Sequence, residues 1–251
     1  MAQDTIKCYD TPSDVVAALA EDFIAFTNEE INRTETCIVG ITGGTVINGL
    51  LETLNSPEYI ERVNWERIFF VWTDERFLPQ SHEDNYFNRV KPYLLCKAKG
   101  AAHFFPINTN SKTVIEAADE YEKEIGNVLK ACKKSGLDLA ILDLGEDGHT
   151  AGLFAGSHAL RVADRNVVAV EDGKVWERIS MTFSFLAKTD VLWFTVTGES
   201  KRTAFTKVLY QREDYEDTSW DKRIGRVLPG AVLSQEPMTW YVDKDAYNDV
   251  H

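Results

Sequence analysis

Short apolar runs that stop abruptly in polar clusters recur along this chain, and segments with helical spacing separate them. Cys37-Ile-Val-Gly-Ile41 ends at Thr42-Gly43-Gly44-Thr45, and Ile68-Phe-Phe-Val-Trp72 ends at Thr73-Asp74-Glu75-Arg76. Leu139 to Leu144 ends at Gly145-Glu-Asp147-Gly148-His149, and Val191 to Val196 ends at Thr197-Gly-Glu-Ser-Lys201. Runs of this length and apolarity read as strands buried on both faces. Thr11-Pro12-Ser13 opens a helix with Val15, Val16, Leu19, Phe23 and Phe26 at helical spacing. Leu50, Leu51 and Leu54 predict a second helix up to Ser56-Pro57, and a third begins at Tyr86. The longest predicted helix is Val114 to Lys134, with Ile115, Ala118, Tyr121, Ile125, Val128 and Leu129 on its apolar side. Another carries Ala204, Phe205, Val208 and Leu209. Further strands are read at 103–106, 167–170, 179–183 and 238–242, and Arg212 to Arg226 as a charged surface loop or short helix. Such alternation predicts a mostly parallel α/β sheet with helices on both faces.

In a parallel sheet the four polar clusters share one edge, so residues distant in sequence converge in one crevice. The 251 residues show no internal repeat and no Gly/Ser linker, and a single domain over 1–251 is expected. The formal net charge of -13 argues against a nucleic-acid surface, which needs a clustered basic face. It leaves room for a small anion held by a few cations and backbone N–H groups. Cys8, Cys37, Cys96 and Cys132 are dispersed without metal-ligand spacing, which predicts reduced thiols in a cytoplasmic protein and no metal. The N-terminus has no apolar stretch of the secretory kind, and no run is long enough to span a bilayer.

Each cluster offers a chemical reading beside a plainer one. His149 sits where a general base belongs, its imidazole able to exchange a proton near neutrality, and the segment after it reads as a helix start that disfavours the imidazolium. The plainer reading is a histidine satisfied within a turn. Gly43 and Gly44 before a helix form a phosphate-cradle signal, with Thr42 and Thr45 beside them, although glycine pairs also simply make turns. Arg76, Arg178 and Lys201 can fix a phosphate, or can be ordinary surface cations. Asp74 can orient a hydroxyl or water, act as a base, or cap its loop; Asp74-Glu75-Arg76 can also pair internally. Ser157 and Ser200 lack the nucleophile-elbow context.

Taken in order, these motifs resemble the 6-phosphogluconolactonase branch of the sugar-phosphate lactonase and glucosamine-6-phosphate deaminase superfamily. Trp72-Thr-Asp-Glu-Arg-Phe-Leu-Pro79 is similar to its D-E-R-x-x-P block, and Gly145-Glu-Asp-Gly-His-Thr-Ala-Gly-Leu-Phe154 to its G-x-D-G-H-T-A-S-L-F signature. Arg178-Ile-Ser-Met-Thr182 and Gly198-Glu-Ser-Lys201 are similar to its R-I-T-x-T and G-x-x-K blocks. There are departures. The family's S-G-G-S-T-P loop reads Thr42-Gly-Gly-Thr-Val-Ile47, its D-S-N reads Glu83-Asp84-Asn85, Gly152 replaces a serine and Ala155 a proline. Where deaminases of the superfamily carry a glutamate, this chain has Phe154, whose ring cannot transfer a proton.

The resemblance implies a Rossmann-like fold and hydrolysis of 6-phospho-D-glucono-1,5-lactone to 6-phospho-D-gluconate in the oxidative pentose phosphate pathway, without metal or organic cofactor. It implies His149 as general base, with Asp147 and Asp74 in supporting catalytic roles and oxyanion donors near Gly148. Gly43, Gly44, Arg76, Arg178 and Lys201 would hold the phosphate, and Thr42, Thr45, Asn85 and Gly148 make weaker substrate contacts. A monomer with no nucleic-acid or membrane partner is expected. Two alternatives stay open: a deaminase or isomerase using Asp74 on carbon, and a non-catalytic sugar-phosphate sensor.

Overall fold

The apolar runs do become strands, which satisfy their backbones through neighbouring strands and bury both faces inside a parallel sheet. The computed structural model describes residues 4–96, 103–173, 175–214, 228–233 and 237–247. Seven strands form the main sheet: β1 (Thr5–Tyr9), β2 (Cys37–Ile41), β3 (Ile68–Trp72), β5 (His103–Phe105), β6 (Leu139–Asp143), β9 (Val191–Val196) and β10 (Thr239–Asp243). Their order is β1-β10-β9-β6-β2-β3-β5, and every neighbouring pair is parallel. From β2 the chain moves outward through β3 to β5, then returns to place β6 on the other side of β2. The β2–β6 boundary is therefore the switch point at which such sheets open a crevice.

Helices cover both faces. Trp193 and Tyr241 meet helix α1 (Pro12–Thr34), through the Phe26 ring at 5.7 Å and an Asp22 hydrogen bond of 2.7 Å. Their chain neighbours Phe194 and Trp240 pack 4.4 Å apart on the opposite face, where Phe205 of α6 (Arg202–Asp214) lies 5.1 Å from Trp240. Thr11 and Asp14 form the capping box that starts α1. The other helices are α2 (Thr45–Leu54), α3 (Tyr86–Cys96), α4 (Val114–Cys132), the one-turn α5 (Phe183–Leu186) and α7 (Pro229–Val232). Among the described residues no helix is long and apolar enough to cross a membrane.

A second, three-stranded sheet is antiparallel, in the order β4-β8-β7, from β4 (Asp74–Arg76), β8 (Arg178–Met181) and β7 (Val167–Val170). The sequence pattern does not predict β4, since three consecutive charged residues carry no strand signal. Its conformation comes from pairing with β8, which sets Asp74 opposite Ser180 and Arg76 opposite Arg178. Nor is β1 predicted, its residues being half-exposed at the sheet edge. In α4 Ile115 is 48% exposed, so the buried stripe is Val114, Ala117, Ala118, Tyr121, Ile125, Val128 and Cys132. The helix stops at Cys132 because Lys133 takes a left-handed conformation (φ 56). Within 212–226, the residues to Asp214 extend α6, and 215–226 lie outside the described residues.

Candidate active site

Three of the four polar clusters leave the carboxyl ends of adjacent strands β2, β6 and β9. The fourth forms β4 of the small sheet, which brings Asp74, Arg76 and Arg178 to the same region from the side.

His149 lies just beyond β6. Its Nδ1 is 2.5 Å from Asp147 Oδ1, and the same oxygen accepts the His149 backbone N–H at 3.1 Å. This contact assigns the proton to Nδ1 and leaves Nε2 as the basic nitrogen. Both side chains are partly exposed, which leaves the ring open to solvent. The ring rests against Gly145, where a Cβ would come within 2.1 Å of Nδ1. Gly148 has φ 79, and a side chain there would run into Leu228 at 2.6 Å. α7 closes this turn from behind, Gly230 donating to the Gly148 carbonyl at 3.0 Å.

No helix starts directly after His149. Ala151 adopts φ 49 and Thr150 forms a local bridge with Leu153, so the segment is a tight turn. The expected helix dipole at His149 is absent, and Asp147 is what fixes the ring. The expected oxyanion donors near Gly148 are also engaged, since Gly148 N–H donates to the Gly145 carbonyl at 2.8 Å and His149 N–H to Asp147.

Phe154 connects His149 to Arg178. Its ring centroid lies 4.4 Å from that of His149, and the Arg178 guanidinium stands 5.2 Å above the same ring. Arg178 donates to Asp74 Oδ2 and to the Tyr86 hydroxyl, each at 3.1 Å. Burial works against its charge, but the facing Tyr86 and Asp74 more than offset that and hold its pKa above the usual arginine value. Asp74 is itself buried and takes a second hydrogen bond from Thr42 Oγ1 at 2.6 Å. This geometry makes Asp74 a holder of Arg178 and Thr42; at 1% exposure it has no open side toward a substrate. Arg76 stacks over Tyr86 at 4.9 Å and pairs with Asp84 at 3.0 Å. Tyr86 also explains Gly43, where any Cβ would sit 2.0 Å from its ring.

Gly44 (φ 149) is the N-cap of α2, whose start has neither a side-chain cap nor an acidic residue in its first turn. Of the loop's other side chains, Val46 and Ile47 are core. Thr45 is exposed and lines a groove with Pro12, Val16 and Thr53 on the α1 side. Asn85 is fully buried, capping α3 by accepting from Asn88 N at 3.0 Å while donating to the Leu78 carbonyl and Thr109. Its role in the structure is that cap. Lys201 ends a 3-10 turn, Glu199–Lys201, and its ammonium pairs with Asp143.

Several site residues escaped the sequence reading. Asp143 ends β6 beside Gly44, with a pKa that burial raises although Lys201 and His149 pull it down. Its one signal is an acid closing an apolar run. Glu75 is buried and accepts the backbone N–H groups of Arg76, Tyr86 and Phe87 at 2.8, 2.9 and 2.9 Å, which anchors β4 to the start of α3. Tyr86 and Asp243 had no signal; the buried Asp243 carboxylate accepts Gly198 N–H at 3.0 Å and so fixes the turn that carries Lys201. Among the described residues no group of three or more His, Cys, Asp or Glu is placed to hold a metal ion.

The model of a family described as "Glucosamine-6-phosphate isomerases/6-phosphogluconolactonase" matches residues 10–234. The chain belongs to this family. Relatives within it include the chloroplastic 6-phosphogluconolactonase 3 of Arabidopsis thaliana, 27% identical over 253 residues, covering 96% of this chain and 74% of the relative. A probable chloroplastic 6-phosphogluconolactonase 3 of Oryza sativa is 29% identical, covering 95% of this chain and 73% of its own length. A crystal structure of a 6-phosphogluconolactonase from Shewanella baltica shares the fold, with a TM-score of 0.78 at 21% identity over 96% of this chain and 97% of that one. Family membership agrees with the ordered blocks read from the sequence, and the seven-stranded parallel sheet is the Rossmann-like architecture they imply.

Proposed function

We propose that this chain hydrolyses 6-phospho-D-glucono-1,5-lactone to 6-phospho-D-gluconate, as one domain acting in the oxidative pentose phosphate pathway. The observation that carries the reading is the His149–Asp147 contact at the β2–β6 switch point, joined through Phe154 to Arg178. His149 Nε2 takes a proton from water as the water oxygen bonds to lactone C1. The tetrahedral intermediate then collapses, the bond from C1 to the ring oxygen breaks, and that oxygen receives the proton from His149. Lactone and water balance the reaction, with no redox step and no cofactor needed.

Lys201, Arg76 and Arg178 hold the 6-phosphate with the backbone at Gly43 and Gly44, and that binding energy places C1 at the base. Asp74 serves here by orienting Arg178. Phe154 speaks against a deaminase, because it puts a phenyl ring where proton transfer would need an acid. The names of the plant relatives support the reading, and although two are chloroplastic we place this chain in the cytoplasm as a monomer without nucleic-acid or membrane partners. The test is the rate of acid release from the phosphorylated lactone above the spontaneous blank. His149→Ala should lose about two to four orders of magnitude in kcat. Turnover unchanged in that variant would remove His149 from the mechanism, and sugar-phosphate binding without turnover would make the chain a sensor.

A further inference from the structure

Each cation assigned to the phosphate is already paired with an aspartate: Arg178 with Asp74, Arg76 with Asp84 and Lys201 with Asp143. The three aspartates differ in what else they hold. Asp74 also accepts from Thr42, and Asp84 also accepts from Arg89 at 2.7 Å, so both belong to the scaffold around their arginines. Asp143 ends β6 at the switch point, 32% exposed, and its Oδ2 lies 3.6 Å from where a Cβ on Gly44 would stand. Its carboxylate thus faces Gly44 at the start of α2 and holds the one ammonium of the anchor set. Those are the two features that suit this place to an anion: an uncapped helix start without an acid of its own, and a lysine.

We infer that Asp143 is a specificity-determining residue, an internal anion that occupies Lys201 beside the start of α2 and that a substrate's phosphate must displace. The inference rests on the phosphate reading of this site given above. A carboxylate carries one charge, a phosphate dianion nearly two and three acceptor oxygens. The dianion can therefore take Lys201 from Asp143, while singly charged metabolites gain too little to do so. Juxtaposed like charges cost enough that Asp143 lowers phosphate affinity as it raises selectivity.

The experiment is calorimetric titration of inorganic phosphate into the full chain, into Asp143→Asn and Asp143→Ser, and into Lys201→Met with and without Asp143→Asn. Removing the Asp143 charge is expected to tighten phosphate binding by about tenfold or more, with Lys201→Met cancelling the gain. The KM for the phosphorylated lactone should fall in Asp143→Asn, and that for the lactone lacking phosphate should not. Two folded neutral variants that bind phosphate no tighter than the parent would overturn the inference, and so would a gain that persists without Lys201. Tightened, Lys201-dependent binding in a chain that does not turn over the lactone would support the anion role and reject the hydrolase reading. Turnover with unaltered phosphate affinity would reject the anion role alone.

Discussion

The imidazole of His149 lies against the phenyl ring of Phe154, centroids 4.4 Å apart and planes inclined by 30°. Arg178 faces that same phenyl ring, so an apolar side chain in the signature motif links His149 to Arg178. Phe154→Leu keeps the site apolar but removes the ring face. Losing one cation–π contact and one aromatic contact is expected to lower kcat/KM by about three- to thirtyfold. Steady-state kinetics checks this; a value within twofold of the parent would make the ring a packing element only.

Asp147 fixes the tautomer of His149, so a neutral isostere should be more damaging than its size suggests. In Asp147→Asn the amide can donate to Nδ1, which moves the ring proton to Nε2 and removes the proton acceptor. A loss of about two to four orders of magnitude in kcat is expected, with little change in KM. A matching loss in KM with kcat retained would instead assign Asp147 to substrate binding.

The strands that frame the site were legible because β2 and β6 are buried along nearly all their length, and burial leaves an unbroken apolar run. His149 was legible from the glycines around it, each set by a close approach or a positive φ. What failed has a physical reason in each case. Thr150 to Phe154 has helix-competent composition, yet Ala151 at φ 49 turns the chain instead. Asp74-Glu75-Arg76 became a strand through a partner about a hundred residues away, as the Asp74–Arg178 separation of 104 shows. The family's serine at 152 is glycine because Ser180 fills the space, a Cβ at 152 falling 2.8 Å from Ser180 Cβ, and Ser180 Oγ accepts the Gly152 N–H at 3.0 Å. Long-range compensation of this kind leaves no local trace in one sequence.

Lys134 ties the amino end of the sheet together, away from the site. Its ammonium meets Glu30 Oε1 at 3.0 Å, Asp138 Oδ1 at 2.5 Å, Thr34 Oγ1 at 2.9 Å and the Thr36 carbonyl at 2.8 Å. Asp138 in turn accepts the Ile38 N–H of β2 at 2.7 Å. Lys134→Met leaves the buried Asp138 carboxylate without its cation and Glu30 with Arg33 alone, and about 3–5 kcal/mol of stability should be lost. Urea denaturation reads this directly, and kcat measured well below the lowered midpoint should match the parent. A loss under 1 kcal/mol would mean that Arg33 and the neighbouring hydroxyls suffice.

Glu75 makes stability depend on pH in a direction that can be worked out. Burial pushes its carboxyl up to about 8, against the pull of the Tyr86, Phe87 and Arg76 N–H donors and with Asp74 adding to the rise. The folded chain then binds a proton that the unfolded chain releases above its ordinary value near 4.5. The contribution is whole below that lower value and is lost as pH climbs through about 8. Between the two, the Glu75 share should fall by at most about 1.4 kcal/mol per pH unit. Glu75→Gln lacks the titration. Its amide also replaces one acceptor oxygen facing backbone N–H groups, so it should be less stable than the parent at low pH while the gap closes as pH rises. Urea midpoints of both proteins across this window measure the gap. A gap that stays constant would show that the three N–H donors keep Glu75 ionised in the fold.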